Sequence, residues 1–147
     1  MPSDRPPHGG PSDVEEIHHR LEDVWNALDE DELEKALHLA EDLHRDHPGD
    51  ANVGLGLAAA RYENGLIRAT LEAATGAPAL DDPEDDALRH WYIAASHHYL
   101  WQFEDARAIL DELVRDQSDF AEAWYLLAQV CEVEDDEVRS EEHTSEL

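Results

Sequence analysis

Cysteine is nearly absent. Cys131 stands alone in 147 residues, which excludes an intrachain disulfide and a cysteine-rich zinc site. The lone thiol reads as a small apolar filler on a packed helix. Lysine is as scarce: Lys35 is the only one, and ten Lys and Arg together face 37 Asp and Glu for a net charge of −27. Such a field repels phosphate backbones and anionic membrane surfaces, so nucleic acid and lipid are excluded as expected partners and basic ligands are favoured. Acid-rich, lysine-poor surfaces also resemble those of organisms living in high salt, where self-repulsion is screened. No apolar run approaches the roughly 20 residues that span a bilayer. The opening MPSDRPPHGGPSD has no basic stretch followed by an apolar one, so a cytoplasmic location is the expectation. Missing too are an H-E-x-x-H pair, a serine nucleophile elbow and a glycine-rich phosphate loop.

What is present is a passage written twice. EKALHLAEDLHRD (34–46) aligns with EDARAILDELVRD (104–116), setting Ala36 on Ala106, Leu39 on Ile109 and Leu43 on Leu113. The offset of 70 is two units of 35, the period of stacked helix pairs. An all-α array of helical hairpins is therefore expected, with about three and a half units: 17–50, 51–84, 87–120 and a partial 121–133.

Four prolines and two glycines among residues 1–11 predict an irregular tail over 1–13. Ser12 and Glu15 have capping-box spacing, which starts a helix at Asp13. Val14, Ile17, Leu21, Val24, Trp25 and Leu28 then draw one apolar stripe until Asp29-Glu30-Asp31. A second helix runs from Glu32 and stops at His47-Pro48-Gly49, since proline cannot extend it. The third, from Ala51, is light, and Gly54 and Gly56 permit close backbone approach. Gly65 suits a left-handed turn before a short helix over 66–75. Residues 76–83 read as an irregular connection, the expected place for motion or an inserted contact. The third pair spans 84–100 and 104–115. Trp101-Gln102-Phe103 stands where the previous unit has its glycine turn, so another reversal geometry is expected. A helix over 119–132 has no return partner, leaving Leu126 and Val130 as exposed residues for weak self-association. An acidic tail, 134–147, closes the chain. Its last nine residues, RSEEHTSEL, resemble the in-frame translation of a sequencing-library adapter. Removing them takes away Arg139 and three glutamates, so the net charge only changes to −25.

Trp124, Leu127 and Ala128 on a first helix, Ala36, Ala40 and Leu43 with Pro48 on and after a second, and Ala94, Ala106, Leu110 and Leu113 in the third unit resemble the tetratricopeptide repeat (TPR) family. The second unit fits less well, with Thr70 at the small-residue site. The resemblance covers about 17–133 and implies a right-handed superhelical α-solenoid. It implies a non-catalytic scaffold or adaptor, without cofactor, whose first helices line a concave groove for a partner peptide or helix, basic or apolar. The groove positions it implies are Leu21, Trp25, Leu55, Tyr62, Trp91, Ala95, His98, Tyr99, Tyr125 and Gln129. None is the lysine, arginine or asparagine with which one subtype grips a peptide carboxylate, so that activity is not expected. An alternative is the N-terminal repeat domain of a larger enzyme, such as a zinc-dependent peptidase. Ten histidines among 37 carboxylates place Glu34 near His38 and Glu41 near His44, and pair His18-His19 and His97-His98. In a chain this rich in both types such spacings arise by chance, and no metal site is expected.

Overall fold

The computed structural model describes the backbone of residues 11–146 and the side chains of residues 13–135. It contains seven helices and, among the described residues, no strand: α1 (Pro11–Asp29), α2 (Leu33–Asp46), α3 (Ala51–Glu63), α4 (Ile67–Gly76), α5 (Pro83–Tyr99), α6 (Phe103–Asp116) and α7 (Ala121–Glu146). The starts of two helices follow from local chemistry. The Asp50 carboxylate accepts the Val53 N–H at 3.0 Å, and Asp82 accepts the N–H groups of Glu84 and Asp85 with Pro83 beside it. Each satisfies amides that the first turn leaves without a partner.

The three reversals α1–α2, α3–α4 and α5–α6 are copies of one geometry. Asp31, Gly65 and Trp101 all adopt positive φ, at 59°, 76° and 62°. Around them Glu32 N–H donates to the Ala27 carbonyl, Leu66 to Arg61 and Gln102 to His97, at 2.8, 2.9 and 2.8 Å. A second bond runs from Asp31 to Leu28, from Gly65 to Tyr62 and from Trp101 to His98. This is the Schellman closure, and it overturns the expectation that Trp101 needs a different turn. These two hydrogen bonds fix each reversal, so a tryptophan is held in a conformation that glycine takes without strain.

Packing follows chain order. Helices pair as α1–α2, α3–α4 and α5–α6, and α2, α4 and α6 each pack on the next hairpin or helix. Odd helices also touch one another, α1 with α3, α3 with α5 and α5 with α7; among the described residues no even helix packs on another even one. The odd helices therefore sit closer together, and their outer surface is the concave side of an α-solenoid. Alanine makes the close packing feasible. Val24, Ala27, Ala36, Ala40, Leu57 and Ala60 form the first buried cluster. Leu55, Ala58, Ala59, Ala74, Leu80, Tyr92 and Ile93 form the second, and Ala94, Ala106, Leu110, Leu113, Ala123, Leu126 and Val130 belong to the third. Thr70 fills the small site of the weakest unit. It is fully buried, and its hydroxyl donates to the Leu66 carbonyl at 2.8 Å, so no polar group is stranded.

Four further expectations change. The first helix begins at Pro11, which places Ser12 inside it rather than at its cap; Pro11 already has the backbone angle a first turn needs. Of the tail drawn over 1–13, residues 11–13 are helical and 1–10 lie outside the described residues. The connection over 77–82 is pinned: Leu80 is buried, and its N–H donates to Asp86 Oδ1 at 3.0 Å. Burial alone would raise the Asp86 carboxyl, but that amide and Arg89 outweigh it and hold it below the usual carboxylate range. Leu126 and Val130 are 5 % and 0 % exposed against α6 and α5, so they are not free to drive association. The helix carrying them continues to Glu146, through the acidic tail; the side chains of the adapter-like segment, 139–147, lie outside the described residues.

Candidate functional site

The concave side opens into a cleft of about 590 Å³ between α1, from Val14 to Trp25, and the N-terminal ends of α3 and α5. Its floor is apolar: Val14, Ile17, Leu21 and Trp25 from α1, Leu55 from α3 and Leu88 from α5. Its edge is acidic, with Glu22, Asp50 and Asp85, and among the described residues the one group there able to carry positive charge is His18, 3.8 Å from Glu22. A second cleft of about 380 Å³ continues along the N-terminal end of α5 toward the α6–α7 turn, carrying Glu84, Asp85, Asp119 and Glu122 with no lysine or arginine. Apolar floor and anionic rim together present hydrophobic area to an occupant while favouring one of positive charge.

Further along, aromatic rings tie α3 to α5. Tyr62 meets Trp91, Tyr92 and Tyr99 with centroids 5.5, 5.4 and 6.1 Å apart, in edge-on or tilted arrangements. Such contacts add to the burial of the rings. Trp91 Nε1 donates to the Glu122 carbonyl at 3.2 Å, bridging α5 to α7. Burial, aided by a hydrogen bond with Tyr99, pushes the Tyr62 phenol up, and burial beside Glu63 pushes Tyr92 up to about 12. Both phenols stay neutral over the physiological range.

The ten groove positions implied by the sequence separate into three groups. Leu21, Trp25 and Leu55 meet in the first cleft, Leu55 as floor with only 4 % exposure. Tyr62, Trp91 and Tyr99 meet in the aromatic group, with Tyr99 57 % exposed, while Tyr125 on α7 is 69 % exposed and Gln129 half-buried. Ala95 and His98 are corrected. Ala95 is fully buried in the third cluster, because a methyl group at that register reaches only the neighbouring helices. His98 lies against Tyr99 and Phe103, at 5.4 and 5.7 Å, and burial holds its imidazole below the usual value, so it packs toward α6. No group of three or more His, Cys, Asp or Glu able to hold a metal ion occurs among the described residues. Eight of the eleven residues lining this cleft lie outside the implied groove positions, among them His18, Asn52 and Leu88. Each of these three stands three residues before Leu21, Leu55 or Trp91, one helical turn earlier on the same face, and that periodicity was the available signal.

Superposition of the whole array on solved structures identifies its architecture. The TPR domain of OM64 from Arabidopsis matches with a TM-score of 0.69 over 80 % of this chain and 96 % of that one, at 14 % identity. The chain has the fold of a tetratricopeptide repeat domain. No protein-family model and no curated protein matches the sequence. In this fold the even helix of each hairpin packs on the outer side, and the helices that border the two concave clefts are α1, α3, α5 and α7. No helix among the described residues is long and apolar enough to cross a membrane.

Proposed function

We infer that this TPR array is a binding module whose concave face docks a basic segment of another protein, anchored by apolar side chains. The observation that carries the reading is the first cleft, where Leu21, Trp25, Leu55 and Leu88 form an apolar floor ringed by Glu22, Asp50 and Asp85, with no lysine or arginine among the described residues that line it. Large apolar anchors set in a desolvated pocket supply most of the affinity in such interfaces, and rim charges supply association rate and choice of partner. Repulsion from a net charge of −27 disfavours acidic competitors.

Selection of a random peptide library on the intact chain tests this. Enriched peptides should combine lysine or arginine with leucine or an aromatic residue, and their affinity should fall as salt rises. Trp25→Ala should weaken binding at least tenfold. The double reversal Glu22→Lys with Asp85→Lys, on two exposed side chains, should abolish selection for basic residues while leaving the fold intact. Enrichment of acidic peptides, or affinity untouched by both sets of variants, would remove the groove reading.

A further inference from the structure

On the outer side of the array α2 and α4 do not pack on each other, and between them lies a cavity of about 360 Å³. Its floor is one face of α3, where Gly54, Leu57 and Arg61 stand at i, i+3 and i+7, turned away from Leu55 on the concave side. The wall at the end of α4 carries Ala73, Gly76 and Ala77, with at most one methyl group each, so these side chains leave the space unfilled. A Cβ added at Gly76 would meet nothing within 4 Å. The cavity shares no lining residue with either concave cleft.

Three side chains bring polarity to this space: His44 from α2, Arg61 from α3 and Glu72 from α4. Arg61 is the informative one. Arg20, Lys35, Arg45, Arg89 and Arg107 each hold a carboxylate oxygen at 3.2 Å or less. Arg61 pairs with none among the described residues, and unlike Arg68 and Arg115, which also lack such a pair there, it is half-buried. Its Nη1 donates to the Ala69 carbonyl at 3.0 Å, which fixes the guanidinium and leaves its other N–H groups without an acceptor among the described residues. The side chains of His44 and Glu72 have no partner among them either. In a chain with 37 carboxylates, a half-buried arginine left unpaired beside open volume is free to take a carboxylate from outside.

Charge restricts what that carboxylate belongs to. A net charge of −27 repels an anionic ligand and Glu72 opposes a bare carboxylate in the cavity, whereas Arg61 opposes a bare amine. A zwitterion meets neither obstacle. The volume lies at the lower end of the roughly 300–1,000 Å³ of small-molecule sites, so the ligand is small. We propose that this outer cavity binds a free α-amino acid with a short apolar side chain. The carboxylate sits on Arg61 with His44 as second donor, the ammonium on Glu72, and the side chain against Leu57, Ala73 and Ala77. This site does not depend on what occupies the concave clefts.

The probe is leucine, titrated calorimetrically into the full chain, and saturable one-to-one binding is expected. Isocaproate, which lacks the amine, and isopentylamine, which lacks the carboxylate, should each bind at least tenfold more weakly. Glu72→Gln, at an exposed position that leaves the fold unchanged, should weaken leucine binding at least tenfold and remove most of the preference over isocaproate. Arg61→Lys, which keeps the charge and loses the planar fork, should also weaken leucine, with circular dichroism verifying the helices. Trp25→Ala, in the first concave cleft, should leave leucine affinity within twofold. Absence of saturable binding at millimolar leucine, equal affinity for either analogue, an unchanged affinity in Glu72→Gln, or loss on Trp25→Ala would each overturn the proposal.

Discussion

Gly54 and Gly56 lie two residues apart in the same helix, both buried, and they should respond oppositely to the same methyl group. A Cβ built on Gly54 would lie 2.6 Å from Ala77 Cβ and 3.5 Å from Ala77 Cα, well inside the roughly 3.5–4.0 Å optimum for carbon contacts. The obstructing atom is fixed to backbone and cannot rotate away, so α3 and the α4–α5 connection must separate. Overpacking of that kind costs about 1–3 kcal/mol, against a gain of about 1 kcal/mol from replacing a helical glycine with alanine. A Cβ on Gly56 would meet Leu21 Cδ2 at 2.9 Å, the end of a flexible side chain that borders an open cleft. A shift of that side chain costs about 0.5–1.5 kcal/mol, which the helical gain offsets. Gly54→Ala should therefore lose up to about 2 kcal/mol and Gly56→Ala should stay close to wild type. In a chain of this size that loss lowers Tm by up to about 8 °C. Urea and thermal unfolding followed by circular dichroism measure both. Ala77→Gly should relieve Gly54→Ala with a coupling above about 0.5 kcal/mol. Equal stability of the two single variants, or simple additivity of the Gly54 and Ala77 changes, would refute the close-approach argument.

Three other outcomes are expected. Asp31→Gly should gain about 0.5–1 kcal/mol by removing left-handed strain, and Gly65→Ala should lose about 1 kcal/mol, both read by urea unfolding. Tyr92 holds its proton more tightly folded than unfolded, so its stabilisation is complete below about pH 10 and is lost as pH rises toward about 12. Stability should fall by about 2 kcal/mol across that window, and Tyr92→Phe should flatten part of the slope. With a net charge of −27, Tm should rise with NaCl as the screening length shortens from about 10 Å at 0.1 M to about 3 Å at 1 M. Loss of stability with added salt would end the high-salt interpretation of the acidity.

Much of the scaffold was legible because helices announce themselves locally. The duplicated stripe around Ala36 and Ala106, the stop at Pro48 and the left-handed Gly65 each depend on residues within a few positions, and each matches an observed boundary or turn. The failures have a common cause in neighbours distant along the chain. Trp101 sits in a glycine-type turn because the Schellman bonds from Trp101 and Gln102 N–H to the His98 and His97 carbonyls hold it there. Ala95 and His98 share a helix face with Tyr99, yet side-chain length and the position of α6 send one into the core and another onto Phe103. On α7 two apolar stripes lie side by side, and only packing shows that Leu126 and Val130 are covered while Trp124 and Ala128 are not.

By itself the sequence determined the helix count, the hairpin period and the negative field, since periodicity, breakers and charge are properties of residues and their spacing. Tertiary structure alone decided which face of each helix meets water. That choice depends on the superposition of successive hairpins, which brings His18, Asn52 and Leu88 to one cleft from positions up to 70 residues apart.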